Sequence, residues 1–316
     1  MDAKILARKE KVMESILETN QLGKKYGRFQ AIHDLTMHIP KGAIYGLIGK
    51  NGAGKTTLIR ILCGLQKPTA GTYQIYGISN QNPKMIEVRK RIGAIIESPS
   101  LCLDMTAEDN LKEQYKIIGL PNYEHLDEIL KLVRLEDTGK KTAKHFSFGM
   151  KQRLGLAIAL VGTPDILILD EPINGLDPEG IIEMRELILK LNQEKGITFL
   201  ISSHYLDELS KVATCYGFMN QHRIVKEITK EELEQDFRKR TEIEVSNLKE
   251  CVKYLEEMHF SYKVISDEKV DLYEEVNVSD LVLALSKRNC KVNHFQEKGE
   301  SLENYYLNLM GGADNE

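Results

Sequence analysis

The sequence contains no apolar run close to the ~20 residues that a membrane-spanning helix needs. Its longest candidates, such as "LGLAIALVG" from Leu154, have the length of a core segment. Its five cysteines, Cys63, Cys102, Cys215, Cys251 and Cys290, form no CxxC pair and no other metal-type spacing. An odd, scattered set of this kind reads as free thiols in a reducing compartment. Net charge is small, −4, so there is neither a basic footprint for nucleic acid nor an acidic tail. Internal repeats and low-complexity tracts are missing as well. The opening "MDAKILARKEKVMES", residues 1–15, is too charged for a secretory leader and reads as a short extension, helical or disordered. These absences leave a soluble, cytoplasmic chain as the expectation. Any membrane part of its work must come from another chain.

What remains is an ordinary globular composition, 42% hydrophobic and 28% charged over 316 residues. That length gives room for roughly two domains, each able to bury a core. "SILETNQLGKKYG" and "IHDLTMHIPKG" alternate like short strands punctuated by Gly and Pro. Residues 82–161 read as mainly helical and charged, with breaks at Pro99, Pro121 and Thr142. Within them "IIESPSLCLDMTAEDNL" reads as a strand end, a loop and a helix start. "DILILDEP" and "ITFLISSH" are apolar runs that stop abruptly at polar residues, as buried parallel strands do. Strands alternating with helices imply a parallel α/β sheet. The tail beyond about Phe237 reads βαββαβ and then α, a small ferredoxin-like α+β module.

The chemistry begins at "GKNGAGKT", Gly49 to Thr56, between an apolar strand and an apolar-periodic helix. It fits the phosphate-loop pattern G-x-x-x-x-G-K-[ST]. Small residues at Gly52, Ala53 and Gly54 let backbone N–H groups approach a polyphosphate. The helix that follows aims its free N–H groups and positive dipole end at the same place. Lys55 can reach the β and γ phosphates, and Thr56 can ligate Mg²⁺. "LILDE" supplies the matching acidic strand. Asp170, at its end, can hold Mg²⁺ through water, and the adjacent Glu171 can polarise an attacking water.

Those two motifs define a P-loop NTPase; the subclass comes from "HFSFGMKQRLGLAIAL", "INGLDP" and the "SSH" ending at His204. With them the sequence resembles the ATP-binding subunit of an ABC transporter over roughly residues 16–235. The resemblance implies an ATPase domain with a parallel-sheet core, an antiparallel β subdomain and a helical subdomain at about 97–162, followed by the accessory domain at 236–316. It makes Tyr26 the aromatic that stacks on adenine. Gly49, Asn51, Gly52, Ala53, Gly54, Lys55, Thr56 and Thr57 become the nucleotide loop. Ser147 and Gly149 lie on the family signature, usually L-S-G-G-Q. Asp170 is the magnesium carboxylate, Glu171 the catalytic base, Asp177 the loop that crosses to another subunit, and His204 the switch that senses the γ phosphate. ATP and Mg²⁺ follow as cofactors. Two copies would close head-to-tail around two ATP, drive a separate transmembrane permease, and sit peripherally on the cytoplasmic face of the membrane.

Three departures from the family pattern sharpen the expectation. Phe148 replaces the first signature glycine and Met150 its glutamine, so Phe148 should point away from the nucleotide. Glu97 stands where most of the family has a glutamine that touches Mg²⁺ and the attacking water; a carboxylate keeps an oxygen for metal or water but loses the N–H donors. "SLENYYLNLMGG" lies near the C-terminus. All three resemble the subgroup that exports bacitracin, lantibiotics and similar peptides. Export of a lipid, ion or other drug is the alternative. A ribosome- or DNA-directed ATPase fits poorly with a single cassette lacking heptads and basic patches. A regulatory chain with vestigial hydrolysis fits poorly with intact Lys55, Asp170, Glu171 and His204.

Overall fold

The computed structural model describes residues 14–120, 122–236, 240–274, 276–298 and 302–311. The expected extension lies outside them up to residue 13, as does the break at Pro121. The chain divides between Thr229 and Lys230 into two compact units. The first holds the strands β1 (Ser15–Tyr26), β2 (Phe29–Pro40), β3 (Ile44–Gly49), β4 (Ala70–Ile75), β5 (Ile78–Ser79), β6 (Ile92–Ile95), β7 (Ile166–Asp170), β8 (Thr198–Ser203), β9 (Cys215–Asn220) and β10 (Arg223–Thr229). Its helices are α1 (Lys55–Leu62), α2 (Met85–Arg89), α3 (Ala107–Ile117), α4 (Leu126–Leu132), α5 (Phe148–Leu160), α6 (Pro178–Lys195) and α7 (Leu206–Ser210).

A six-stranded sheet, ordered β10-β9-β3-β8-β7-β6, forms the centre. Its strands from β9 to β6 pair in parallel and β10 adds an antiparallel edge. Strands β3, β7 and β8 are buried along their whole length. Their largely apolar make-up follows from being covered on both faces. A second, antiparallel sheet has the order β2-β1-β4-β5 and shares a core with α1, through residues such as Leu17, Ile32, Leu58 and Ile75. Here the residues of β2 alternate between buried and exposed, as one covered face requires.

The strand end expected at Ile95 belongs to β6, which lies at the sheet edge against β7. Four residues are too short for periodicity to separate them from the helical stretch around them. Beyond β6, α3 packs on α4 and α5. The loop into α3 is tied by Asn110, 4% exposed. Its side chain accepts from Cys102 N at 2.8 Å and donates to the Cys102 and Thr106 carbonyls at 3.0 and 2.8 Å.

The second unit contains α8 (Lys230–Asp236), β11 (Arg240–Val245), α9 (Leu248–Glu257), β12 (Tyr262–Val264), β13 (Lys269–Leu272), α10 (Val278–Ser286), β14 (Val292–Lys298) and α11 (Leu302–Gly311). From β11 to β14 the order is βαββαβ, and the strands lie β12-β13-β11-β14, all antiparallel. That is the ferredoxin-like split arrangement. Ile243, Val245, Leu255, Val270, Leu272 and Leu285 close its core at 0% exposure. Asn247 and Asn277 cap α9 and α10 by accepting from first-turn N–H groups.

Candidate functional site

Strand β3 delivers the chain to the C-terminal edge of the sheet, the place where open α/β sheets bind ligands. There the chain turns through Lys50 to Gly54 into α1. Gly54 takes a φ of +109°. A Cβ there would stand 2.4 Å from the Ala31 carbonyl oxygen and 2.9 Å from Met219 Cε, so this loop can pass only with glycine. Gly54 brings no side-chain oxygen to cap α1, and the first turn carries no acid. The leading N–H groups therefore stay available to an anion.

Lys55 is 6% exposed. Its Nζ donates to the Gly49 carbonyl at 2.6 Å and lies 3.7 Å from Glu171 Oε1. Thr56 Oγ1 donates to Asp170 Oδ2 at 2.8 Å. Asp170, 2% exposed, also accepts from Ser202 Oγ on β8. Glu171 follows in the left-handed region, φ +53°. Its N–H reaches both the Ser202 carbonyl and Oγ at 3.1 Å. Its Oε2 lies 2.8 Å from His204 Nδ1 and accepts from His204 N at 3.3 Å. One polar network thus runs from Thr56 through Asp170, Ser202 and Glu171 to His204 and Lys55. It stands at the ends of three adjacent strands, because β3, β8 and β7 are neighbours. Ser202 is the member that sequence reasoning passed over. Its signal was the first hydroxyl in "SSH".

Burial pushes the Cys63 thiol, at the end of α1, up to about 12. The pocket over the loop is lined by Asn51, Gly52, Thr57 and Glu171, with Phe29 as its aromatic wall. Tyr26 pairs with Phe29 across the tip of the β1–β2 hairpin, but its hydroxyl donates to Gln66 Oε1. The aromatic that lines the pocket over the loop is Phe29, whose ring also meets His222 edge-on at 5.6 Å.

Glu97 adopts φ +62°, and its carboxylate sits 2.7 Å from Arg60 Nη2 in the last turn of α1. It borders a groove with Pro99, Ile117, Ile118 and Gly155. Ser147, Gly149 and Asp177 form a further group at the N-termini of α5 and α6. Ser147 Oγ accepts from Met150 N at 3.2 Å and Asp177 Oδ1 from Gly180 N at 3.1 Å.

A sequence profile described as ABC transporter matches residues 32–174. The bacitracin transport ATP-binding protein BcrA of Bacillus licheniformis is 40% identical over 305 residues, 95% of this chain and 99% of that protein. The chain belongs to the ABC transporter ATP-binding proteins. It is an ABC ATPase, binding ATP and coupling its hydrolysis to transport. The lantibiotic transport ATP-binding protein SrtF of Streptococcus pyogenes is 42% identical over 212 residues, 67% of this ABC chain and 90% of its own. The dimeric post-hydrolysis ATP-binding cassette MJ0796, bound to ADP and Pi, has the same fold. Its TM-score is 0.61 at 23% identity, over 68% of this chain and 98% of that one. Among the described residues of this ABC ATPase, no helix is long and apolar enough to cross a membrane.

Proposed function

We propose that this ABC ATPase powers export of, or self-protection against, a peptide antibiotic of the bacitracin or lantibiotic type. The observation that carries the reading is the likeness to a bacitracin transport protein over 95% of the chain, which takes in the C-terminal unit as well as the cassette. The enzyme works as two copies closed head-to-tail around two ATP, with a separate permease, at the cytoplasmic face of the membrane. The N-termini of α5 and α6, with Ser147, Gly149 and Asp177, face the nucleotide of the other copy. The cassette ends near residue 235 and the remainder is an accessory domain.

Thr56 and Asp170 fit a magnesium site. They form an all-oxygen pair at 2.8 Å, and Mg²⁺ is held by one or two such groups together with substrate phosphates. Bound there, Mg²⁺ supplies charge neutralisation of the β and γ phosphates. Lys55 positions those phosphates. Glu171 accepts the proton of the attacking water, and His204, 2.8 Å away, orients that carboxylate.

The test is growth of a host expressing the chain and its permease in bacitracin and in a lantibiotic. Wild-type chain should raise the tolerated concentration of one of them, and Lys55→Ala should abolish the gain. Protection of neither, with ATP turnover intact, would sink the cargo assignment and favour a lipid, ion or other drug.

A further inference from the structure

Phe148 has no counterpart in the chemistry above. It is the first residue of α5, a large apolar side chain at 50% exposure where the family signature has glycine. Its ring lies on Gly175, in the turn between Glu171 and Asp177. A Cβ on Gly175 would stand 3.3 Å from Phe148 Cε1 and 3.5 Å from Cζ. Gly175 also takes φ +79°, so the backbone favours glycine there, and a Cβ would crowd the ring.

The contact is reciprocal. Leu176, the next residue, lies on Gly149, where a Cβ would stand 3.6 Å from Leu176 Cδ2. The same leucine flanks Gly180, where a Cβ would stand 3.5 Å from Leu176 Cβ. Each turn therefore sets a large side chain against a glycine of the other. The strapped turn is short and internally bonded, with Asn174 N donating to the Glu171 carbonyl at 3.1 Å and Leu176 N to that of Ile173 at 3.2 Å. It starts at Glu171 and ends at Asp177, the N-cap of α6.

We infer that Phe148 is a positioning residue: its ring straps the Glu171–Asp177 turn to the start of α5, so that the two helix N-termini move as one. A glycine at 148 leaves Gly175 uncovered and the turn free to shift, and Glu171 is its first residue. The consequence for turnover rests on the reading of Glu171 as the base. The consequence for the turn does not.

Both are measured on the full chain. Hydrogen exchange across residues 172–180 should quicken about tenfold in Phe148→Gly, and Phe148→Leu should restore protection because it refills the contact. ATP turnover in Phe148→Gly should drop about tenfold in kcat with KM unchanged. Unchanged exchange in 172–180, or a rise spread evenly over the cassette, overturns the strap. Glu171→Gln is assayed in parallel: if it turns over normally the base assignment fails, while the exchange data still decide the strap.

Discussion

The two units use the same materials differently. In the cassette, the buried strands β3, β7 and β8 stop in a loop, an acid pair and a hydroxyl pair, and their ends hold Lys55, Asp170 and Ser202 out of solvent. Glu171 accepts a left-handed backbone to stand beside them. In the C-terminal unit the strands stop in ordinary turns and capped helices, over an apolar core. Burial of charge is not the difference, since Glu242 and Asp271 are buried opposite each other on β11 and β13, with Lys269 Nζ 3.7 Å from Glu242. The difference is convergence: one unit gathers a cation, carboxylates, hydroxyls and free helix N–H groups at one edge of one sheet. Departures from local regularity mark the working end of a protein.

That contrast can be broken most forcefully at the network. Lys55→Ala and Glu171→Gln should each lower ATP turnover by about a hundredfold or more while the melting temperature stays near wild type. Glu171→Gln should also accumulate as an ATP-bound dimer on size exclusion. A Glu171→Gln chain that stays monomeric with ATP would remove the base assignment.

The mirror experiment is Leu255→Ala in α9, at 0% exposure. It should cost the C-terminal unit about 2–5 kcal/mol and leave kcat of the cassette unchanged. Calorimetry and phosphate release on the same sample separate the two effects. Equal loss of turnover would mean that the units do not divide structure from chemistry in this way.

A finer test compares the two aromatics of the hairpin. Phe29→Ala should weaken ATP binding about fivefold to a hundredfold, the worth of one stacked base. Tyr26→Ala should do less, since Phe29 lines the pocket over the loop. Nucleotide titration ranks them, and the reverse order would assign the platform to Tyr26. The smallest effect is expected at Glu97. Its partner Arg60 is exposed enough that the pair contributes no more than about 1 kcal/mol to stability. Glu97→Gln should keep ATP binding and change transport more than hydrolysis. Equal transport by both chains would end the idea that the acid tunes coupling.

How far the sequence carried depended on how local each feature was. "GKNGAGKT" was readable because eight adjacent residues set a backbone shape that few others allow, and Gly54 beneath Ala31 and Met219 gives the reason. Asp170 and His204 were readable because an apolar run that ends in polar residues locates the end of a buried strand. The βαββαβ tail was readable because short helices and strands alternate there with clear turn signals. Ser202 was missed because its partners Asp170 and Glu171 lie on another strand. The contact of Glu97 with Arg60 was not legible because Arg60 stands 37 positions away on α1, and a family pattern records a residue type without its partner.

By itself, then, the amino-acid sequence determined the phosphate-loop motif, the acidic strand, the histidine at a strand end and the family. These depend on backbone conformations and chain order, which short stretches of residues dictate. The tertiary structure alone decided which aromatic walls the loop, which cation holds Glu97, and that Phe148 lies on Gly175. Those are pairings between side chains far apart in the chain, chosen by how the sheet and helices pack.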